Sequence, residues 1–146
     1  MYNHLLIPTD GSPLSAKAVE HGAMLAKLCG ATVSLITVTE PFHVFSLHAD
    51  QLEDTRAEYK RHMDERATRA LAQAAEAVQR AGVSVDKVHA EDDDQPYEAI
   101  VRTAVAKRCD LIVMASHGRR GVSAILLGSE TTKVLTHSKI PVLVVR

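Results

Sequence analysis

Short apolar runs alternate with longer stretches of helical periodicity along this chain. Each run is apolar or β-branched and is bounded by proline, glycine or charged residues, which is typical of a buried strand. Strands are predicted at residues 4–8, 32–39, 83–90, 110–115 and 142–145. Helices are predicted at residues 13–29, at about 52–80, from Pro96 onwards and at about 130–137. Strands that alternate with helices in this way indicate βαβ units and a parallel sheet.

Helix boundaries are marked by specific residues. Ser12 followed by Pro13 is typical of an N-cap and a first helical position, and Gly30 and Gly82 are predicted C-terminal stops. The second helix would be ~40 Å long at the usual rise per residue, so we expect its first half to overhang the sheet or to break. Residues 41–50 have no clear period and are predicted to be a loop, with a turn of helix as the alternative.

The predicted fold is α/β, with a Rossmann-like, doubly wound, five-stranded parallel sheet in the order 3-2-1-4-5 and helices on both faces. The third strand, residues 83–90, is the least apolar and is therefore expected near a sheet edge. With 146 residues, the chain fits a single domain that spans residues 1–146.

Composition narrows the class of function. The net charge of −1 gives no electrostatic case for nucleic acid or an acidic membrane as partner. No apolar run approaches the roughly 20 residues of a membrane span, and residues 1–8 lack the pattern of a signal peptide, so a cytoplasmic location is expected. Cys29 and Cys109 each end a helical pattern and are predicted to be small core residues.

The segment from Asp110 to Glu130 carries the strongest functional signal. It begins as a buried strand, continues into a loop that contains Gly118, and ends at Gly128-Ser129, the predicted cap of a new helix. A strand, a glycine loop and a helix N-terminus in this order form an anion site from backbone N–H groups and the helix dipole. We therefore expect this segment to hold the phosphates of a nucleotide.

The strand order predicts which other residues complete that site. Ligands of such sheets bind beyond the carboxyl ends of the strands, where the strand order reverses, and here the reversal lies between strands 1 and 4. Residues 8–10 should therefore lie beside residues 115–118. Asp10 would accept hydrogen bonds from ribose hydroxyls or an adenine amino group, although its side chain is equally expected in an Asx turn before Ser12.

Glycine and charged residues in the loop support the same interpretation. Gly118 and Gly128 allow the backbone to approach a phosphate closely, and Ser129 offers both a hydroxyl and an N–H. Arg119 and Arg120 would add positive charge or point to solvent.

Other kinds of site find less support in the sequence. Neither a P-loop nor a Gly-x-Gly-x-x-Gly motif after the first strand is present, which argues against a fast NTPase of the P-loop class. The acidic run 91–94 is typical of a solvated or capping loop, and the histidines lack metal-ligand spacing. His117 could act as a base in an enzyme, but no catalytic partner is recognisable beside it.

The whole chain resembles a bacterial universal stress protein, from Leu5-Leu-Ile-Pro-Thr-Asp-Gly-Ser12 to Lys139-Ile-Pro-Val-Leu-Val-Val-Arg146. The ATP-binding pattern of that family is Gly-x2-Gly-x9-Gly-Ser/Thr. In this chain Ala115, Gly118, Gly128 and Ser129 occupy its four positions, so three match and the first glycine is replaced by alanine. Alanine suits that position if its φ is negative and fails if the left-handed region is required.

The resemblance implies a dimeric, ATP-binding stress protein. Phosphates of such a ligand would bring magnesium with them, although no carboxylate in the sequence is assigned to it. The resemblance places Asp10 and Val38 at the adenosine, the backbone of residues 128–131 at the phosphates, and the last strand at a homodimer interface. An unpaired apolar edge strand at residues 142–145 is a liability in itself, which supports the dimer. The predicted cofactor-binding residues are Pro8, Thr9, Asp10, Val38, Met114, Ala115, His117, Gly118, Arg119, Gly128, Ser129, Glu130 and Thr131.

Two alternatives remain open at this stage. One is an interaction module of the same fold that binds no nucleotide, in which the loop with Ala115 is structural. The other is an enzyme, either a slow ATPase or a phosphotransferase that uses His117.

Glu130 is an unusual neighbour for a triphosphate, although acids are common in a first helical turn, so its side chain is expected to point away.

Overall fold

The computed structural model describes residues 1–42, 49–91, 95–118 and 126–146, and within 49–54 only the backbone. Its nine elements alternate between strand and helix. They are β1 (His4–Pro8), α1 (Pro13–Cys29), β2 (Thr32–Thr39), α2 (Ala49–Arg80), β3 (Val85–Glu91), α3 (Pro96–Ala106), β4 (Leu111–Ala115), α4 (Ser129–His137) and β5 (Val142–Val145). The predicted acidic loop at 92–94 and most of the loop at 41–50 lie outside the described residues.

The five strands form one parallel sheet in the order β3-β2-β1-β4-β5, as the sequence predicted. The order reverses between β1 and β4, which pair directly through Leu5 and Leu6. β3 lies at one edge, in agreement with its weaker apolar pattern, and β5 lies at the other edge. The carboxyl ends of β1 and β4 are therefore neighbours, which is the geometry that the predicted site requires.

Helices cover both faces of the sheet and bury two apolar clusters. On one face, α1 and α2 pack on residues such as Leu35 and Val113, and Gly22 lets α1 approach Ile7 closely. On the other face, α3 and α4 pack on residues such as Ile36 and Ile112. Because both faces are covered, the central strands are apolar at nearly every position rather than at alternate ones.

α2 is continuous over 32 residues, so the expected break does not occur. A helix of that length is ~48 Å long, whereas the longest strand, β2, spans roughly 27 Å. Its second half carries the buried positions, including Ala67, Leu71 and Val78, while its first half extends past the sheet. Arg56, Glu58, Lys60 and Arg61 of the first half are exposed, so this part of the helix can extend into solvent without a break.

Two predicted element boundaries need correction. β3 begins at Val85 rather than at Val83, because the Val83 N–H bonds back to the Val78 carbonyl and its side chain fills the core after α2. β4 begins at Leu111 rather than at Asp110, whose carboxylate accepts hydrogen bonds from the first residues of the chain.

Local capping signals and the cysteines behave as predicted. The Ser12 hydroxyl accepts from the Ser15 N–H, and Gly30 ends α1 in the left-handed region with φ 67°. Cys109 is buried, and burial raises the pKa of its thiol to about 11, whereas Cys29 is half-buried against the core. Across the described ranges no helix combines the length and apolarity that a bilayer crossing requires.

Protonation of Asp110 is predicted to destabilise the fold. Burial alone would raise the pKa of Asp110, but N–H groups of His4 and Asn3 at 3.0 and 2.9 Å and the Asn3 amide outweigh burial and lower the pKa. A depressed folded pKa means that this stabilisation is present above the unfolded pKa of ~3.9 and is lost as pH falls through the folded pKa. Asp110→Asn should therefore cost about 1 kcal/mol near pH 7.

Urea unfolding of wild type and Asp110→Asn across pH 3 to 7 measures this effect, because the difference in unfolding free energy should shrink below about pH 4. A difference that stays constant over the whole range would mean that the charge of Asp110 does not contribute.

Candidate functional site

The reversal of strand order brings the end of β1 against the loop after β4. A Cβ added to Gly118 would lie 2.9 Å from Oδ2 of Asp10, which makes these two residues direct neighbours. Oδ1 of the same carboxylate accepts from the Ser12 N–H at 2.9 Å, so the expected Asx turn also forms. One oxygen of Asp10 thus shapes the turn, and the other faces the loop.

The end of β2 is held against the end of β1 just before Asp10. The Thr9 N–H donates to the Ile36 carbonyl at 2.8 Å, and the Thr37 hydroxyl donates to the Thr9 carbonyl at 2.7 Å. Val38 is half-buried and packs with the cluster on the α3 and α4 face, to which Met114 also belongs. Val38 therefore lies on the face of the sheet that carries α4.

The loop after β4 closes tightly on itself at its two ends. The Gly128 N–H donates to the Ser116 carbonyl at 2.7 Å, and a Cβ at Gly128 would approach the Cα of His117 to 3.0 Å. Neither Gly118 nor Gly128 has a left-handed φ; Gly128 has φ −62°. The structure thus uses both glycines for close approach rather than for a left-handed backbone.

α4 begins at the closed end of this loop with an open first turn. Its N-cap is Gly128, which has no side chain, and within the described residues no other side chain caps the N–H groups of residues 129–131. The Thr131 hydroxyl instead donates to the Ala115 carbonyl at 2.9 Å and ties the first turn to the end of β4. Uncapped backbone N–H groups at the positive end of a helix are chemically suited to bind an anion.

Ala115 occupies the motif position where glycine was expected. It lies in β4, and Arg108 is the only non-glycine residue with positive φ in the described part of the chain. The Ala115 side chain is buried in the cluster on the α1 and α2 face, away from α4. Alanine therefore meets the backbone requirement at this position without strain.

Several predicted residues have packing roles. The side chains of Thr9, Met114 and Thr131 are all more than nine-tenths buried, so any ligand contact from them would come through the backbone. His117 is half-buried, with its Nδ1 3.2 Å from the Ser116 hydroxyl. Pro8 ends β1 beside these residues, whereas Arg119 and Arg120 lie outside the described residues.

Glu130 has a role that sequence reasoning found only in part. Its carboxylate does point away from its own helix N-terminus, as expected, and its target is the first turn of α3. Oε2 accepts from the Tyr97 N–H at 2.9 Å, and Oε1 lies 3.3 Å from Nζ of Lys133. The ion pair with Lys133 could have been predicted from its spacing of three residues on a helix. The contact with Tyr97 depends on how α3 and α4 pack together.

A cleft of about 290 Å³ opens at the end of β2 on the side of α2. Phe42 and Tyr59 line it with ring centroids 5.4 Å apart, and the Tyr59 hydroxyl donates to the Glu40 carbonyl. Lys60 and Glu91, 3.6 Å apart, form another wall. None of the predicted site residues that the structure describes lines this cleft, so it is separate from the first turn of α4.

The contact between Gly118 and Asp10 predicts energetic coupling between the two positions. Gly118→Ala should cost about 1 kcal/mol of unfolding free energy, because the new methyl group displaces the carboxylate of Asp10, which bonds to the Ser12 N–H. In an Asp10→Ala background that cost should fall by about 1 kcal/mol, which a double-mutant cycle by chemical denaturation measures.

Gly128→Ala is the matched control for this cycle. Its neighbours at 3.0 and 3.2 Å are the His117 Cα and Cβ and the Ser116 carbonyl, so removing the Asp10 side chain leaves its cost unchanged. Equal costs of Gly118→Ala in both backgrounds would contradict the contact.

Comparison with known proteins agrees with this geometry. The model of the universal stress protein family matches residues 1–146. Among curated relatives, universal stress protein MJ0531 of Methanocaldococcus jannaschii is 34% identical, and the match covers 100% of this chain and 83% of that protein.

Solved structures are similar over nearly the whole chain. MJ0577, also from Methanocaldococcus jannaschii, superposes with a TM-score of 0.82 at 30% identity and covers 99% of this chain and 96% of its own. A universal stress protein in complex with cAMP superposes with a TM-score of 0.70 at 26% identity and covers 99% and 97% of the two chains. With a family model that spans every residue, the chain belongs to the universal stress protein family.

Proposed function

We propose that this protein binds an adenine nucleotide, ATP in the first instance, where the strand order reverses, and acts as a dimeric stress-response or signalling protein in the cytoplasm. The observation that carries the proposal is the uncapped first turn of α4, which opens beside the contact between Asp10 and Gly118. A relative at 26% identity that was solved with cAMP supports an adenine nucleotide as the ligand class.

The residues present fit such a ligand. Backbone N–H groups of residues 129–131 and the Ser129 hydroxyl would bind phosphate oxygens, since nothing else caps them among the described residues. Asp10 would accept from the ribose or the adenine amino group, and Val38 would pack against the base. Magnesium would accompany a triphosphate through the phosphate oxygens, as it commonly does in nucleotide sites. Ala115 is compatible with this role because its backbone is extended.

Titration calorimetry with ATP and magnesium tests the proposal. We expect saturable binding by the wild type and a loss of at least about tenfold in affinity for Gly118→Val, because the branched side chain displaces Asp10 and narrows the site. Ala16→Val, which adds bulk on the exposed face of α1, serves as the control and should bind like the wild type.

Nucleotide that remains with the purified protein and is released on denaturation would add independent support. Absence of binding by the wild type at millimolar ATP with magnesium would refute the proposal and favour an interaction module that binds no nucleotide.

The proposed homodimer would form through the outer edge of β5. Pro141 and Val145 direct their carbonyls to β4, where they accept from Ile112 and Ser116. By the alternation of a strand, Val142 and Val144 direct their backbone groups to the open edge. Leu143 is 41% exposed, so this edge combines free backbone groups with apolar side chains. Pairing of two such edges would satisfy both.

Val144→Pro is predicted to convert the dimer to a monomer, since it removes an outward N–H while leaving the bonds to β4 in place. Sedimentation velocity of this variant beside Val144→Thr, which keeps the N–H, separates backbone pairing from side-chain packing. A wild type that sediments as a monomer, or a Val144→Pro variant that remains dimeric, would contradict this interface.

A further inference from the structure

The carboxylate of Glu130 caps a helix other than its own. Glu130 is the second residue of α4, yet its Oε2 accepts from the N–H of Tyr97, the second residue of α3, at 2.9 Å. The N-cap of α3 is Gln95, which makes no side-chain capping bond. α3 therefore obtains its acidic cap from the first turn of α4, 33 residues further along the chain.

Two further contacts hold the same two helices together, and an ion pair within α4 adds to them. Nζ of Lys133 lies 3.3 Å from Oε1 of Glu130 and 5.8 Å from the centroid of the Tyr97 ring. The Tyr97 ring also packs against His137, with centroids 4.7 Å apart. The Glu130 side chain is 35% exposed, so water screens its charge only in part. Together these contacts fix the first turn of α4 relative to α3.

The direction in which the Glu130 carboxylate points affects how well an anion could bind at the start of α4. An acid in a first helical turn is normally attracted to the N–H groups of its own helix, where it would compete with a phosphate. Here the charge of Glu130 faces the N-terminus of α3 and the ammonium of Lys133 instead. No described side chain, including that of Glu130, caps the N–H groups of residues 129–131.

We propose that Glu130 is a positioning residue of this anion site, which holds the first turn of α4 in place and couples phosphate binding to the start of α3. The inference rests on the proposed nucleotide function. A bound phosphate repels the Glu130 carboxylate toward the Tyr97 N–H and strengthens that hydrogen bond. By thermodynamic reciprocity, a carboxylate held by Tyr97 favours phosphate binding to the same degree.

The Tyr97 amide is the direct reporter of this coupling. Amide hydrogen exchange of the full-length wild type should slow at Tyr97 when AMP or ATP is added, with the larger effect for ATP because it carries more negative charge. In Glu130→Ala, exchange at Tyr97 should be faster without nucleotide and should no longer respond to it. A wild-type Tyr97 amide that ignores bound nucleotide would overturn the proposal.

Binding measurements on two variants separate positioning from a general effect on folding. Glu130→Ala, which loses both contacts, should weaken AMP and ATP binding by about fivefold, the size of effect expected when a helix cap is lost. Glu130→Gln keeps an oxygen that can accept from the Tyr97 N–H and should restore affinity to within about twofold. Glu98→Gln is the matched control, since Glu98 is the acid of the same first turn of α3 and accepts from the Tyr97 hydroxyl.

The outcomes are distinct. Lower thermal stability of Glu130→Ala with unchanged nucleotide affinity would mean a purely structural cap and would overturn the proposal. Tighter binding by both Glu130 variants, greater for ATP than for AMP, would mean that the acid only repels phosphate, and would overturn it as well. If the wild type binds neither nucleotide, the proposed function fails and the coupling fails with it. Faster Tyr97 exchange in ligand-free Glu130→Ala would even then identify Glu130 as the cap of α3.

Discussion

The close contact between the two ends of the loop after β4 is the constraint on which the site depends. The Gly128 N–H donates to the Ser116 carbonyl at 2.7 Å, and the Gly128 Cα lies against the backbone of His117. Any side chain at Gly128 would meet backbone, which cannot move aside. This contact starts α4 directly beside the end of β4 and aims its first turn at the edge where β1 and β4 meet. The position of Asp10 beside Gly118 follows from the same closure.

The two ends of the sheet differ in how their polar groups are satisfied. At the amino end, the Ser34 hydroxyl donates to Asp86, which also pairs with Lys107, while His4 contacts both Ser34 and the Lys107 carbonyl. No buried side-chain donor or acceptor is unsatisfied within the described ranges. At the carboxyl end, by contrast, no described side chain caps the first turn of α4. The polar side chains at the amino end are thus satisfied within the protein, whereas at the carboxyl end the first backbone N–H groups of α4 are capped by no described side chain.

The sequence predicted the strand order, the helix caps and the juxtaposition of Asp10 with the glycine loop. The strand order follows from the apolar runs and the rules for parallel sheets. The helix caps follow from local sequence, because Pro13 and Gly30 influence the backbone only within a few residues of their own positions. The sequence could not show whether the motif position that Ala115 occupies requires glycine. Whether a position requires glycine depends on its φ, and the sequence does not report whether the residue ends the strand or begins the turn. In the structure Ala115 is still in the strand.

Contacts between residues far apart in the chain could not be predicted from the pattern of apolar and polar residues. The sequence indicated that Glu130 points away from the phosphate site, but not that it would reach Tyr97, since that contact depends on how α3 and α4 pack over β4 and β5. The predicted start of β3 was wrong for a related reason. Val83 is a β-branched residue typical of strands, but its N–H bonds to the Val78 carbonyl at the end of α2.

The arrangement of Glu130 also explains why the first turn of α4 tolerates an acid. A carboxylate at the second position of a helix has two available partners, the N–H groups of its own turn and any donor on a neighbouring element. Gln95 does not cap α3 with its side chain, so the N–H of Tyr97 offers a donor at a positive helix end. Lys133 adds a cation on the far side of the same carboxylate. The acid is therefore stabilised by α3 and by Lys133. No described side chain caps the first turn of α4, because Gly128 has no side chain and Glu130 bonds to Tyr97 instead.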